Sequence, residues 1–189
     1  MAGPCPSDVE CRTQRLILRR PRAADLDAVF AIHGDPETNR FNPAGPMQTP
    51  AQADTVLSGW RAHWDAQGFG YWAISAIDAP NHLIGFGGII RKALDGRATL
   101  NLYFRFRPEA WSKGYASELA SAALKLAFET LGEKEVVGIV RRDNAPSIKA
   151  LQRAGLKLAG EIDDVPPREP SLIFEIAAGD YRRRLSADA

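Results

Sequence analysis

Residues 111–118, WSKGYASE, form the segment of this 189-residue chain whose residue types and spacing are best suited to chemistry. The segment joins LNLYFRFRPE, which alternates like a strand, to LASAALKLAFETLG, which has the composition of a helix. The first N–H groups of a helix lack partners within the helix and lie at the positive end of its dipole, so they can bind an anion. Gly114 allows close backbone approach and Lys113 adds positive charge. The pattern suits a pyrophosphate, although a plain turn that needs glycine explains such a motif, taken alone, at least as well.

Other residues that could do chemistry lie about thirty positions further on. The segment DNAPSIKALQRAG predicts a helix with Asn144 at its N-cap and Gly155 at its end. His33, His63 and His82 are too scattered to indicate a metal site, and we expect no metal. The spacing shows no nucleophile–base arrangement of the serine or cysteine hydrolase kind.

The composition bounds the class of protein. The net charge is +1, with 45% hydrophobic and 25% charged residues, so we expect a soluble globular protein without a nucleic-acid or membrane partner. Cys5 and Cys11, the two cysteines, lie in a proline-rich N-terminal stretch and predict no disulfide framework. The first residues lack the apolar run of a secretion signal. A reducing cytoplasm is therefore the expected location.

The elements that must position these residues follow an α/β pattern in one domain. We predict a flexible leader over 1–13 and a domain over 14–185. Alternating or short apolar runs predict strands, helical spacing predicts helices, and DPETNRFNPAGPMQTP predicts a surface loop. The predicted strands are 15–20, 71–77, 82–93, 97–107, 134–140, 156–162 and 171–177, and the predicted helices are 23–34, 50–64, 116–131 and 144–155. Gly34 is expected to end the first helix in a left-handed conformation.

The two polar segments, RFRPEAWSKGYASELASAALKLAF and NAPSIKALQRAGL, occur in the order typical of one family. The chain resembles the GNAT superfamily of acetyl-CoA-dependent N-acetyltransferases, and most of all the branch that acetylates ribosomal-protein N-termini. That branch has Trp, Gly, Lys or Arg, Gly, Tyr, Ala in its phosphate loop, matched here by Trp111, Ser112, Lys113, Gly114, Tyr115 and Ala116. Its later element is matched by Asn144, Ser147 and Gly155.

The resemblance implies a fold and a binding mode. The expected fold is α/β (α+β), with a mixed, mostly antiparallel sheet of six to seven strands, splayed in the middle and flanked by about four helices. The pantetheine arm of acetyl-CoA would enter the splay, and the loop would take the pyrophosphate. The implied cofactor-binding residues are Phe104, Phe106, Trp111, Ser112, Lys113, Gly114, Tyr115, Ala116, Ser117 and Asn144.

The resemblance also implies a reaction, the direct transfer of an acetyl group to a primary amine on a protein N-terminus or a small molecule. Ser147 takes the position of the group that protonates the leaving thiolate, although a first-turn serine is as often a plain cap. Many relatives carry a glutamate base where this chain has Asn101, and an amide cannot act as a base. A non-catalytic acyl-CoA-binding module is therefore the alternative. The base, the acceptor and the choice between monomer and homodimer stay open.

Overall fold

The computed structural model describes residues 10–94 and 96–187. Eight strands form one sheet in the order β1-β2-β3-β4-β5-β6-β8-β7. The strands are β1 (Cys11–Arg12), β2 (Leu16–Arg19), β3 (Tyr71–Ala76), β4 (Ala79–Leu94), β5 (Arg97–Phe106), β6 (Glu135–Val140), β7 (Lys157–Ile162) and β8 (Ser171–Ala177). The helices are α1 (Leu26–His33), α2 (Pro50–Gln67), α3 (Tyr115–Lys125), α4 (Ala145–Ala154) and α5 (Ala178–Ala187).

Neighbouring strands are antiparallel except at the centre, where β5 and β6 run parallel. A parallel pair needs a crossover connection, and α3 supplies it. Successive residues of a strand face opposite sides of the sheet, and Trp72 and Ile74 of β3 pack in a different cluster from Ala73. Ala73 lies in the cluster that contains residues of α1 and α2, whereas the larger cluster contains residues of α3 and α4. The sheet thus carries helices on both faces.

The predicted fold class is confirmed, with two additions. The sheet has eight strands rather than six or seven, because Cys11–Arg12 pairs with Leu18 and Ile17 inside the predicted leader. A fifth helix, α5, was missed because its polar sequence resembles a solvated chain end. It is anchored by Tyr181, which is buried and donates a hydrogen bond to Glu129 Oε1 at 2.7 Å.

Two local expectations were wrong. Gly34 follows α1 with φ −90°, so it is not left-handed. A Cβ there would lie 2.7 Å from the Phe30 carbonyl oxygen, and close approach is therefore the reason for glycine. The cysteines predicted no disulfide framework, but Cys11 is disulfide-bonded; Cys5 lies outside the described residues. One structural feature also went unpredicted: α3 ends at Lys125 and continues as a π-helical turn, Leu126–Thr130.

Candidate functional site

A gap opens in the sheet between its two parallel central strands. β5 and β6 pair at only two positions, Leu100 with Val136 and Asn101 with Val137, although β5 continues to Phe106 and β6 to Val140. This divergence matches the expected splay. Beyond Asn101 the edge of β5 is therefore available to an added extended chain, which could hydrogen-bond to it as a strand would.

The backbone of two predicted residues faces that gap. The N–H of Arg107 donates to the Ile84 oxygen of β4 at 2.8 Å, and the register between β4 and β5 is continuous. Because backbone groups alternate along a strand, those of Phe104 and Phe106 point away from β4, toward the side where β6 has separated. The Phe106 oxygen accepts the Trp111 indole N–H at 2.8 Å. Trp111, 44% exposed, thus ties the loop to the strand.

The loop after β5 brings the start of α3 to the same place. Ser112 has φ 59° and Gly114 has φ 79°. A non-glycine residue at positive φ is uncommon, and Ser112 occupies the position where the family motif has glycine. Gly114 is the N-cap and makes no side-chain cap. The first helical hydrogen bond runs from Glu118 N–H to the Gly114 oxygen at 3.1 Å, so the N–H groups of residues 115–117 precede it. They form a positive helix end beside the exposed Lys113.

Two residues to which the sequence assigned no role in the loop, Arg15 and Glu118, hold it in place. Arg15 donates from Nη1 to the Lys113 oxygen and from Nε to Glu118 Oε2, each at 2.7 Å. Glu118 Oε1 also accepts the Arg15 N–H and the Thr13 hydroxyl. Burial raises the pKa of Glu118, but the hydrogen bonds from Thr13 and Arg15 outweigh it and lower the pKa overall. In the sequence, Arg15 and Glu118 are opposite charges 103 residues apart, and no local pattern links them.

Asn144 and Ser147 lie at the start of α4, which follows β6. The Asn144 side chain accepts the Ser147 N–H at 3.2 Å, as its N-cap position predicts. Because β5 and β6 are parallel, α3 and α4 both begin at the edge where these strands end, and the two helices pack together. The half-buried Ser147 therefore lies at the same edge as the phosphate loop.

The opposite face of β5 carries polar side chains that the sequence interpretation did not connect. Asn101, Tyr103 and Arg105 alternate along the strand and so share this face. Tyr103 Oη lies 3.1 Å from His33 Nε2, and the Tyr103 ring lies 5.0 Å from that of Tyr71. Asn101 is 8% exposed, and its Oδ1 atom has no hydrogen-bond partner among the residues that the structure describes. Alternation along β5 could have placed Asn101, Tyr103 and Arg105 on one face. No spacing in the sequence shows that His33 of α1 and Tyr71 of β3 join them.

His33 is neutral at physiological pH. Burial, and then the charge of Arg105, lower its pKa to about 4, against a smaller upward effect of its hydrogen bond with Val29. The Val29 carbonyl lies 3.0 Å from Nδ1 and can only accept, so Nδ1 carries the proton and Nε2 accepts from Tyr103. Burial raises the pKa of Tyr103 against the effect of Arg105. The pair therefore holds the Tyr103 hydroxyl in one orientation.

The other histidines lie in separate contacts. His63 hydrogen-bonds the Phe69 carbonyl and accepts the Arg91 N–H, and the exposed His82 lies 3.5 Å from Glu109. Within residues 10–94 and 96–187, no group of three or more His, Cys, Asp or Glu side chains could hold a metal ion. No helix in this part of the chain is both long and apolar enough to cross a membrane.

Comparison with known proteins defines the class. The acetyltransferase (GNAT) domain model matches residues 15–157, and this chain belongs to the GNAT acetyltransferase family. An uncharacterised N-acetyltransferase of Bacillus subtilis, YoaA, is 29% identical over 150 residues, covering 78% of this chain and 82% of that protein.

Solved structures agree with the fold. An acetyltransferase from Agrobacterium tumefaciens str. C58 superposes with a TM-score of 0.74 at 27% identity, covering 89% of this chain and 94% of that one. The spermidine N-acetyltransferase of Vibrio cholerae, in complex with CoA and spermine, has a TM-score of 0.72 at 17% identity, covering 90% of this chain and 99% of that one. The protein is an enzyme of the acetyltransferase class.

Proposed function

We propose that this enzyme transfers the acetyl group of acetyl-CoA directly to a primary amine, on a small molecule or a protein N-terminus. The observation that carries the proposal is the divergence of β5 from β6 after Asn101, beside the positive start of α3. The gap suits an extended pantetheine arm, and the helix start suits a pyrophosphate. The structural relative from Vibrio cholerae was solved with CoA, which agrees with this assignment.

Backbone groups carry most of the proposed binding. Those of Phe104 and Phe106 would hold the pantetheine amides, and residues 112–117 would hold the pyrophosphate, with Lys113 adding charge. Trp111 keeps the loop against the strand, and Asn144 keeps the start of α4 in shape. Acetyl-CoA supplies an activated thioester. The chain itself then has to position the amine and stabilise the oxyanion that develops.

Three side chains bear on proton movement. Ser147 is the proposed donor to the leaving thiolate, and it regains a proton, directly or through solvent, from the amine nitrogen that loses one as the amide forms. Asn101 accepts no proton, and His33, with a pKa of about 4, is too weak a base at neutral pH. The amine therefore reacts in its neutral form. An alkyl amine has a pKa of about 10.4, so the rate should rise up to about tenfold per pH unit across neutrality.

The test combines binding and turnover. Thermal shifts with acetyl-CoA, CoA, ATP and NAD should show stabilisation by the two CoA species alone, by about 2.7 kcal/mol at 100 times the dissociation constant. A screen of amines with acetyl-CoA should release thiol. CoA stabilisation without turnover of any amine would support the non-catalytic acyl-CoA-binding module instead, and equal shifts with ATP would contradict the pantetheine assignment. A bell-shaped pH profile centred near pH 7 would reveal a base that this mechanism lacks.

The finer assignments follow from the loop motif and the composition. We place the enzyme in the branch of ribosomal-protein N-terminal acetyltransferases because of the residues at 111–116. A cytoplasmic location and a monomer or homodimer remain predictions.

A further inference from the structure

The side-chain face of β5 opposite α3 contains an arginine with unusual surroundings. Arg105 is partly buried, and its Nη1 donates to Asn39 Oδ1. Its guanidinium lies 6.0 Å from the centre of the Tyr103 ring. None of the ion pairs in the described part of the chain includes Arg105. A guanidinium withdrawn from water normally pairs with an anion, whereas the contacts of Arg105 within the described residues are with the neutral Asn39 and Tyr103.

Asp35, an acid in the adjoining loop, forms no ion pair with Arg105 in the described part of the chain. Asp35 belongs to the same loop as Asn39, and its carboxylate accepts the Glu37 backbone N–H at 2.7 Å. The loop reaches Arg105 through the Asn39 amide, which also donates to the His33 and Asp35 carbonyls. Asn39 is buried and held by these bonds, so it fixes the position of the Arg105 guanidinium on this face of β5 without neutralising its charge.

A polar atom on the same face has no hydrogen-bond partner among the described residues. Among the described residues, the covered Asn101 Oδ1 atom has no hydrogen-bond partner, although the Asn101 side chain hydrogen-bonds Tyr71. Asn101 lies two residues before Tyr103 and four before Arg105. Leaving a buried acceptor unsatisfied is unfavourable, so the atom favours an arriving N–H donor. It lies on the last residue of β5 that pairs with β6, at the start of the gap proposed for the pantetheine arm. The face thus offers a hydrogen-bond acceptor at one end and a cation at the other.

The surroundings also disfavour a second cation. The Tyr71 and Trp60 rings, 5.7 Å apart, border this face together with the neutral His33, whose ring lies 5.4 Å from Trp60. The charge of Arg105 already acts on His33 and Tyr103. A polyamine would bring like charge against it, and like charges in contact repel.

We propose that the acceptor is a primary amine that also carries an anionic group, with Arg105 binding the anion and the amine directed toward Asn101. This inference rests on the proposed acetyltransferase function and names its substrate class. Neighbouring strand residues on one face are about 7 Å apart, so residues four positions apart are about 13 Å apart along the strand. A linear chain of about six carbons between amine and anion fits this span.

The experiment uses three acceptors of equal length: linear aminohexanoate, its primary amide and diaminohexane. We expect kcat/KM to fall in that order, with about tenfold or more between aminohexanoate and the amide. Arg105→Met should remove this preference, and Arg105→Lys should keep part of it. Arg97→Met is the matched control, because Arg97 lies on the same strand but pairs with Glu135, and it should keep the full preference. Unfolding temperatures without ligand identify any variant that fails to fold.

Peptide arms distinguish the two sources of such an amine. A short peptide amide with aspartate after its first residue is compared with its asparagine counterpart, and preference for the aspartate peptide over aminohexanoate would identify a protein N-terminus. Equal rates on all three small acceptors would overturn the inference while the acetyltransferase function stands. If no probe turns over, binding to CoA-saturated protein replaces the rate. Tighter binding of aminohexanoate than of diaminohexane, lost in Arg105→Met, supports the inference, and equal binding overturns it.

Discussion

The two faces of β5 recognise their ligands by different means. On the face of α3 and α4, the proposed cofactor site consists mainly of backbone: the divergent edge of β5, a loop with two residues at positive φ, and a helix start. On the face of α1 and α2, the proposed acceptor site consists of side chains from separate segments, with Tyr103 against His33 and Arg105 against Asn39. A shared cofactor suits a backbone site, whereas an individual acceptor needs particular side chains.

The largest expected effect tests the backbone half of this comparison. Gly114→Val forces a β-branched residue into φ 79° and places a Cβ about 3.3 Å from the Arg15 guanidinium. Stabilisation by CoA should be abolished, since the loop can no longer hold its shape. Gly132→Val is the control, because Gly132 has φ 66° and open space around it at the far end of the same helical segment. Both variants should lose about 1–2 kcal/mol of stability from backbone strain. Equal CoA affinity in the two variants would mean that residues 111–118 are a plain turn without a role in CoA binding.

The next largest effect tests the side-chain face of β5 through the pH dependence of the unfolding free energy. The pKa of His33 is lowered from 6.5 to about 4 by burial and then by Arg105. Between these values the unfolded chain binds a proton that the folded chain excludes, so stability falls as pH falls from about 6.5 toward 4. The loss from this group reaches about 3 kcal/mol. His33→Gln should lessen the pH dependence of the unfolding free energy by that amount.

The control for that measurement is His82→Gln. His82 is exposed, and the variant keeps His33, so it should keep the wild-type slope. Denaturant unfolding at intervals from pH 7 to pH 4 provides the comparison. If the unfolding free energy of His33→Gln depends on pH as steeply as that of the wild type, His33 is not held neutral in the folded protein.

A third effect separates binding from chemistry. Ser147→Ala should lower the acceptor-saturated rate about tenfold to a hundredfold, with CoA affinity nearly unchanged, because the proposed role of the hydroxyl lies with the leaving thiolate. Ser121→Ala is the control, since the Ser121 hydroxyl bonds the Ser117 oxygen on the exposed side of α3. A wild-type rate in Ser147→Ala would leave Ser147 as a part of the helix start and nothing more.

The difference between the two faces also explains how much of the site could be predicted from the sequence. Gly114, the small residues after it and the Asn144 cap impose their constraints locally, so the motifs are recognisable in the order of the chain. The alternating runs of β5 likewise predicted the central strand. His33, Tyr71 and Arg105 come together only through the pairing of β3, β4 and β5 and the packing of α1, which no local spacing encodes. The contact between Arg15 and Glu118 escaped prediction for the same reason.

The smallest expected effect lies where side chains support the backbone site. Arg15 joins the Lys113 carbonyl to the Glu118 carboxylate, so it positions the loop without being part of it. Hydrogen bonds to charged groups contribute about 1.5–3 kcal/mol, but the Arg15 side chain is 46% exposed and solvent screens the pair. Arg15→Ala and Glu118→Gln should therefore weaken CoA binding by only about fivefold.

Titration of CoA measures this effect, with Arg12→Ala as the control. Arg12 is 63% exposed and pairs with Glu10 rather than with Glu118, so its removal should leave the affinity unchanged. The double variant of Arg15 and Glu118 should bind CoA about as well as either single variant, because the two residues act through one contact. If each variant instead binds CoA like the wild type, the loop keeps its shape through Ser112 and Gly114 alone. The cofactor site would then depend on backbone conformation alone, and the contact between Arg15 and Glu118 would add nothing to CoA binding.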